Sequence, residues 1–552
     1  MSISTGTSTR TSAGTPGTST GMPGTSATPV IASAWPDPDV PDLSLPGALL
    51  GVAAERPGQA AITDAATGRT VTYGELADGV RRVAAGLAAN GLRPGDTFAI
   101  LAPNSPEWLV ACFGAMAAGG VVTGLNPMCT PGEVAAQLAD SGARFLLTET
   151  AFLPTARAAA EEAARGADNR CPVILTRNAE RGTLGFGDLL THGAKPPAGP
   201  IDPAALALLP YSSGTTGRAK GVMLSHRAVL TNLVQSLTLM PTGPAARVLA
   251  VAPFFHAVGL VVLAGRALLG GATLVTLPRF EVPGFLAALQ DHRITQTVVV
   301  PPIVAALARH PAVSEYDLSS LEWLGCGAAP LDGGLQQACA ARIGCPVGQG
   351  YGMTEVTAGL ALWPEGTEVV LGSSGRLLPG ARARIVEPER QADVAPGETG
   401  ELWVRTPSVM DGYLGNPAAT AATIDAEGWL HTGDIARFGP DGDLFITDRV
   451  KELIKVNGFQ VAPAELEAVL CGHPLVAAAA VVPVPDERAG ERPRAFVVLT
   501  RPDEAGPDTA AGLMSYVAER VAPYKRVTEV EFTGTIPVSP SGKILRRLLR
   551  DS

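Results

Sequence analysis

Leu206-Ala207-Leu208-Leu209-Pro210 runs into Tyr211-Ser212-Ser213-Gly214-Thr215-Thr216-Gly217-Arg218-Ala219-Lys220-Gly221, and Ser225 follows as a candidate cap for a helix reaching about Met240. The passage reads as a strand, a polar loop and a helix. Its glycines let backbone N–H groups approach a ligand closely, its hydroxyls add donors, and Lys220 adds positive charge, a combination suited to holding polyphosphate. The GxxxxGK[ST] spacing of a P-loop is not met, because Gly214 and Gly217 lie three apart and Gly221 follows the lysine. On composition alone the alternative is a mobile surface loop.

Around this loop, from about Leu43 to Gly350, short aliphatic runs alternate with amphipathic segments. Arg247 to Ala252, Ala272 to Leu277, Gln296 to Val300 and Leu321 to Gly325 read as strands, and Phe285 to His292 reads as a helix. The rhythm predicts an α/β fold, a large N-terminal domain of mostly parallel sheets flanked by helices, with ligands at the carboxyl ends of the strands. Beyond about Thr447 the pattern restarts with a strand-like Glu452 to Val456, a helix from Pro463 to Leu470 and a strand at Phe496 to Leu499. That predicts a separate small α+β domain. The expected division is a disordered Ser/Thr/Gly/Pro-rich tail over 1–40, the large domain over 41–448 and the small domain over 449–552.

Composition narrows the function classes. Hydrophobic residues make up 46% and charged residues 17%, which favours a deeply buried core over a disordered or fibrous chain. A net charge of -10 without a Lys/Arg-rich block argues against nucleic acid as a partner. The seven cysteines are scattered, with no CxxC pair, and read as reduced thiols of a cytoplasmic protein. The most apolar stretch, Val258 to Leu277, is interrupted by Arg266 and glycines and falls short of a membrane span.

Four further motifs follow the polar loop: Pro253-Phe254-Phe255-His256; Gly350-Tyr351-Gly352-Met353-Thr354-Glu355; Thr432-Gly433-Asp434 with Asp448-Arg449-Val450-Lys451-Glu452; and Pro537-Val538-Ser539-Pro540-Ser541-Gly542-Lys543. Together the five resemble, in order, the signatures of the adenylate-forming superfamily of acyl-CoA synthetases, luciferases and peptide-synthetase adenylation domains. The likeness spans about Leu43 to Leu549. Lys451-Glu452-Leu453-Ile454-Lys455, leading to Gly458-Phe459-Gln460-Val461-Ala462-Pro463, gives it the flavour of the 4-coumarate:CoA ligase branch.

The resemblance implies a ligase using ATP, Mg2+ and CoA, with a mobile C-terminal lid that turns about a hinge near 449–451. It implies that Ser212, Ser213, Gly214, Thr215, Thr216, Gly217 and Lys220 hold phosphates, that Thr354 bonds the α-phosphate and that Glu355 holds Mg2+. Gln349, Gly350 and Tyr351 would flank adenine on one side, with Gly327, Ala328 and Ala329 on the other, and Gly352 would also bind the nucleotide. Asp434 would bind the ribose hydroxyls, assisted by Arg449. Lys543 would bridge the acid's carboxylate and the α-phosphate, a placement that offsets negative charge as the adenylate forms. Lys451 matches the hinge, Lys455 and Gln460 match positions implicated in activity, and Gly458 matches a position beside the pantetheine channel. Asn457 stands where a lysine is usual, removing a charge near the CoA path.

His256 resembles the histidine bordering the acid site. Ala257, Val258, Val262, Gly327, Gly352, Ala358 and Gly359 would join it around the acyl group. Hydroxycinnamate ligases place Tyr and Ser in the stretch after His256, where this chain has Ala257, Val258, Gly259, Leu260, Val261 and Val262 and neither polar residue. An unhydroxylated aryl acid, cinnamate-like, or a medium-chain fatty acid is therefore expected. The absence of an aspartate there disfavours amino acids. The expected activity is carboxylic acid:CoA ligation through an acyl-AMP, with release of AMP and pyrophosphate, by a monomer or homodimer. The rivals are an acyl-AMP ligase loading a separate carrier protein and a noncatalytic nucleotide-binding regulatory protein.

Overall fold

The computed structural model describes residues 30–165, 172–177, 179–191, 193, 195, 197, 199–212, 219–456, 459–486, 488–538 and 544–550. Ser213 to Gly217, Asn457, Gly458 and Lys543, all singled out above, lie outside the described residues, as does the side chain of Gln460.

Among the described residues the large N-terminal domain contains two nine-stranded sheets. In one, Trp323–Cys326, Gln296–Val299, Arg247–Ala250, Thr273–Thr276 and Ala60–Asp64 lie side by side and parallel. All but Ala60–Asp64 fall on the aliphatic runs read as strands, and their near-continuous burial is what a parallel sheet covered on both faces requires. Arg247–Ala250 connects first to Thr273–Thr276 on one side, and the chain then returns to Gln296–Val299 on the other. Crossovers that part in this way leave a crevice at the carboxyl ends of the strands. The segments Ala252 to His256 and Val300 to Ile303 emerge there.

The second sheet is built on the parallel strands Thr97–Leu101, Val121–Gly124, Ala143–Thr148 and Leu206–Leu208. Here the strand, loop and helix reading needs correction. Tyr211–Ser212 and Lys220–Ser225, which flank the polar loop, pair antiparallel, so a further strand separates the loop from the helix His226–Leu239. Ser225 does cap that helix, its Oγ accepting from Ala228 N at 3.3 Å. The added strand forms because Val222 and Leu224 are buried and because Gly412–Tyr413 supplies a second pairing partner.

A six-stranded antiparallel sheet follows, containing Arg382–Glu387, Gly400–Arg405, Leu430–Phe438 and Leu444–Arg449. Its edge is completed by Ile31–Ala32. Residues 30–40 therefore are not part of the tail expected over 1–40. Ile31 packs on the apolar cluster of Ala383 and Ile385, and Ser33 Oγ donates to Leu377 O at 3.0 Å. The small C-terminal domain has its own five-stranded sheet, including Ile454–Val456, Val476–Asp486 and Gly490–Leu499, and its own core around Leu466, Val481, Val497 and Val517.

After His256 the chain forms a π-helix, Val258–Gly265, continuing into Arg266–Gly270. Wide turns of this kind are rare and collect at functional sites. Gly259 lets the helix press on the strand exit, since a Cβ there would lie 2.1 Å from Pro253 O. Gly259→Ala is expected to destabilise the protein by about 1–3 kcal/mol, seen as a lower urea midpoint at unchanged slope. Gly284→Ala, in a helix with nothing within 4 Å of the new methyl, should not lower it.

Candidate active site

A cavity of about 1200 Å³ occupies the crevice at the strand ends. Its wall runs from the large domain to Arg449, Val450 and Lys451 at the junction and to Val538 in the small domain. Of the residues expected at the site, Ser212, Lys220, His256, Ala257, Val258, Val262, Gly327, Ala328, Gln349, Gly350, Tyr351, Gly352, Thr354, Glu355, Ala358, Gly359, Arg449 and Lys451 line it. The structure brings these together from across the chain.

One polar group centres on Glu355, in the short turn Thr354–Val356. Its carboxylate is buried, and Oε1 accepts from Ser212 Oγ at 3.1 Å and from Tyr413 OH at 2.9 Å. Burial, and then the Glu355 charge, push the Tyr413 phenol up, so it stays a donor. The Lys220 ammonium lies 4.6 Å from the centre of the Tyr413 ring. Tyr413 did not stand out in the sequence, because only the pairing of Gly412–Tyr413 with Val222 and Met223 carries it here.

Both hydrogen bonds to Glu355 land on Oε1, which leaves its second oxygen for a cation. Among the described residues no cluster of three His, Cys, Asp or Glu side chains forms a metal cage. A single carboxylate on the wall of this cavity suits Mg2+, which is usually held by one or two carboxylates together with substrate phosphates. The donor set fits that ion.

A second polar group centres on Asp434. A bulge opposite Glu401 to Trp403, with Gly433 in the left-handed region at φ 68°, aims the carboxylate out of strand Leu430–Phe438. Oδ2 accepts from Tyr351 OH at 2.6 Å, and Oδ1 meets Arg449 Nε at 2.9 Å. Burial and then the Asp434 charge raise Tyr351 well above its ordinary range. Burial lowers Arg449, but the summed pull of Asp434, Tyr351, Glu452 and Glu355 outweighs it and raises the guanidinium overall. Asp434 itself is set just behind the cavity surface, reached through Tyr351 and Arg449.

Gly327 and Ala328, at the start of the loop to Leu331, line the cavity together with Tyr351. Ala328 is left-handed at φ 69°, a conformation that costs a non-glycine residue about 1–3 kcal/mol. The side chain of Gln349 holds this loop, with Oε1 accepting from Leu331 N at 3.2 Å and Nε2 donating to Leu331 O at 3.1 Å. Ala329 does not line the cavity.

Phe255 and His256 follow the strand exit, their ring centres 4.5 Å apart. Asn104 pins this segment, donating to Ala252 O at 2.9 Å and accepting from Phe254 N at 2.8 Å. Sequence reasoning missed Asn104, whose turn between Pro103 and Ser105 carries no signal beyond an ordinary loop. Aliphatic and aromatic wall comes from Met240, Val258, Val262, Leu362 and Trp363 as well as Ala358. Lys455 is not at the cavity. It is exposed on strand Ile454–Val456, opposite Gln460, with its N–H donating to Glu491 at 2.8 Å.

The AMP-binding enzyme family matches residues 51–414, and the AMP-binding enzyme C-terminal domain matches residues 465–543. This chain belongs to the AMP-binding enzyme family. It is 41% identical over 546 residues to 4-coumarate--CoA ligase 2 of Oryza sativa subsp. japonica, covering 95% of each chain. Among solved structures it is similar to the anthranilate CoA ligase AuaEII in complex with anthranoyl-AMP, at 26% identity and a TM-score of 0.85 over 93% of this chain and 98% of that one. It is likewise similar to ATP-bound MatB from Rhodopseudomonas palustris, at 28% identity and a TM-score of 0.83 over 92% and 99%. This AMP-binding enzyme is an AMP-forming acid-thiol ligase, and ATP, Mg2+ and CoA are the family's cofactor set.

Burial lowers both His256 and His226 to about 4. Each is neutral in the folded enzyme and gains a proton near pH 6.5 once unfolded. Their stabilising effect is therefore complete above pH 6.5 and is lost as pH falls toward 4. Urea midpoints should drop across that window, and the drop should shrink in His256→Asn.

Proposed function

We propose that this enzyme couples an apolar carboxylic acid to CoA through an acyl-AMP intermediate, the acid being a cinnamate-like aryl acid or a medium-chain fatty acid. The observation that carries the proposal is one cavity bordered by Glu355, by Tyr351 and Arg449 in front of Asp434, and by an aliphatic wall of Met240, Val258, Val262 and Leu362.

In the first step a carboxylate oxygen of the acid attacks the α-phosphorus of ATP, and the bond to the β-phosphate oxygen breaks to release pyrophosphate. Both reactants are anionic, so the step needs fixed positive charge and donors. Lys220, with Ser212 and the loop from Ser213 to Gly217, is assigned to the phosphates, and Thr354 to the α-phosphate. Glu355 would hold Mg2+, which when bound would supply neutralising charge on the phosphates. Asp434 takes the ribose hydroxyls with Arg449 beside it, Tyr351 with Gly327 and Ala328 flanks adenine, and Lys543 bridges the two reacting groups.

In the second step the small domain turns about Lys451, so that Lys455, Asn457, Gly458 and Gln460 border the CoA path. The thiolate sulfur attacks the acyl carbon, the C–O bond to AMP breaks, and thioester and AMP leave. The exposure of Lys455 and its separation from the cavity support a role in an orientation other than the one seen. Val258 and Val262 offer a phenol no partner, at a cost of about 1–3 kcal/mol for a buried hydroxyl. The described cysteines are all free thiols, which supports a cytoplasmic setting. No described helix is long and apolar enough to cross a membrane.

The test is pyrophosphate release and thioester formation over cinnamate, coumarate, benzoate and C6 to C16 fatty acids, with and without CoA. Thioester on an apolar acid is expected. Pyrophosphate without thioester would point to carrier loading, and silence with every acid would overturn the assignment. Lys543→Ala should abolish pyrophosphate release. Asp434→Asn should raise the KM for ATP about tenfold or more while moving the KM for the acid little, since a hydrogen bond to a charged group is worth about 1.5–3 kcal/mol. Val258→Tyr with Val262→Ser should raise the kcat/KM ratio of coumarate to cinnamate by roughly tenfold.

A further inference from the structure

The small domain's helix Pro463–Cys471 begins without a cap of its own. Its N-cap is Ala462, which makes no side-chain hydrogen bond, and Pro463 opens the helix. The missing acceptor comes from elsewhere. Asp448, buried on the last strand of the large domain, accepts from Ala464 N through Oδ2 at 3.1 Å and from Arg449 N through Oδ1 at 2.7 Å. An unsatisfied helix N-terminus carries free N–H groups and a partial positive charge, and both favour a carboxyl there.

A second set of contacts lies entirely beyond Lys451. Arg546 grips Glu467 of the same helix through Nε at 3.0 Å and Nη2 at 2.6 Å, and its Nη1 donates to Glu452. Glu467 also accepts from Val481 N at 2.8 Å. Val538, which lines the cavity, pairs with Ile544, and Leu545 N donates to Pro537 O at 2.8 Å. Helix, Arg546 and the strand ends that flank the Lys543 segment therefore form one unit. If the chain turns at Lys451, this unit moves together, and the Asp448 contact to Ala464 is the one in this group that parts.

We propose that Asp448 is a positioning residue, which holds the small domain over the cavity in the adenylate-forming orientation by lending a cap to helix Pro463–Cys471 across the hinge. The proposal rests on the two-step reading given above. A side-chain cap shifts a helix equilibrium by roughly two- to thirty-fold, enough to bias two orientations without locking either. The engaged carboxyl accepts from the Arg449 backbone and faces the charges of Arg546 and Glu452, with Glu467 bound to Arg546. Burial dominates and pushes it up to about 7, against the pull of the two N–H groups and Arg546. When the helix departs, the carboxyl returns toward its ordinary range. Protonation therefore favours the engaged state, whose share falls as pH rises through about 7.

The experiment measures the two half-reactions separately, using full-length enzyme at pH 6.5. Pyrophosphate release is followed from ATP with cinnamate or decanoate, and thioester formation from the synthetic adenylates with CoA. Asp448→Ala is expected to slow the first in kcat by several-fold up to about thirty-fold and to leave the second unchanged or faster. Equal loss in both, or no change in either, overturns the proposal. A cap restored in cis separates positioning from mere stability. Asp448→Ala with Ala462→Ser should regain Tm without regaining adenylation, and recovery of both would overturn the proposal. Asp448→Asn, which cannot ionise, should flatten the decline of adenylation relative to thioester formation from pH 6.5 to 8.5, and a decline as steep as in the unmodified enzyme counts against it. Lys543→Ala run alongside keeps the two readings apart. Pyrophosphate release surviving in Lys543→Ala would remove the reading beneath the proposal, whereas its loss there with an unaffected Asp448→Ala would remove the proposal alone.

Discussion

The carboxylate of Asp434 ties together three parts of the molecule with different structural origins. Tyr351 comes from the last parallel strand region of one nine-stranded sheet, Asp434 from the antiparallel sheet, and Arg449 from the end of the strand that leads out of the large domain. A buried carboxylate must be paired to be tolerated, and here its two oxygens meet a phenol and a guanidinium at 2.6 Å and 2.9 Å. The polar end of the cavity and the start of the junction are thus built around the same charge. Removing one partner would leave the others exposed to an uncompensated group.

The apolar side of the cavity obeys another constraint, close backbone approach. Gly259 lets the π-helix sit on Pro253, and Gly348 and Gly350 leave room for Trp363 and Leu362, whose side chains a Cβ would meet at 2.7 Å. Asn104 then fixes the connecting segment by bonding both ends of it. The shape of the wall therefore comes from glycines and one buried amide as much as from the aliphatic residues that face the cavity.

Much of this was readable beforehand, for identifiable reasons. Parallel strands buried on both faces announce themselves as aliphatic runs, so Arg247–Ala250, Gln296–Val299 and Trp323–Cys326 were visible, and Ser225 was recognisable as a cap. The contiguous motifs carry His256, Tyr351, Thr354 and Glu355, which line one cavity. What escaped depends on pairing at a distance. The strand Lys220–Ser225 is short and exists partly because Gly412–Tyr413 lies beside it. Ile31–Ala32 has two residues and is ordered by the edge it joins. Tyr413 and Asn104 carry no local pattern at all, and the bracing of the loop at Leu331 by the Gln349 side chain is equally invisible in the sequence.

The same distinction explains the junction. A helix that starts at Pro463 after Ala462 looks incomplete in sequence, and local rules would look for its cap among its immediate neighbours. The structure supplies the cap from Asp448, on the other side of Lys451. Within the small domain the Arg546 contacts to Glu467 and Glu452 tie the helix, the hinge-side turn and the C-terminal segment together. A stiff body attached through a short connection and one borrowed cap has few ways to sit loosely over the cavity. Under the proposed reaction that is an advantage, because adenylation and thioester formation place incompatible demands on the same space, and an enzyme that lingered between orientations would serve neither step.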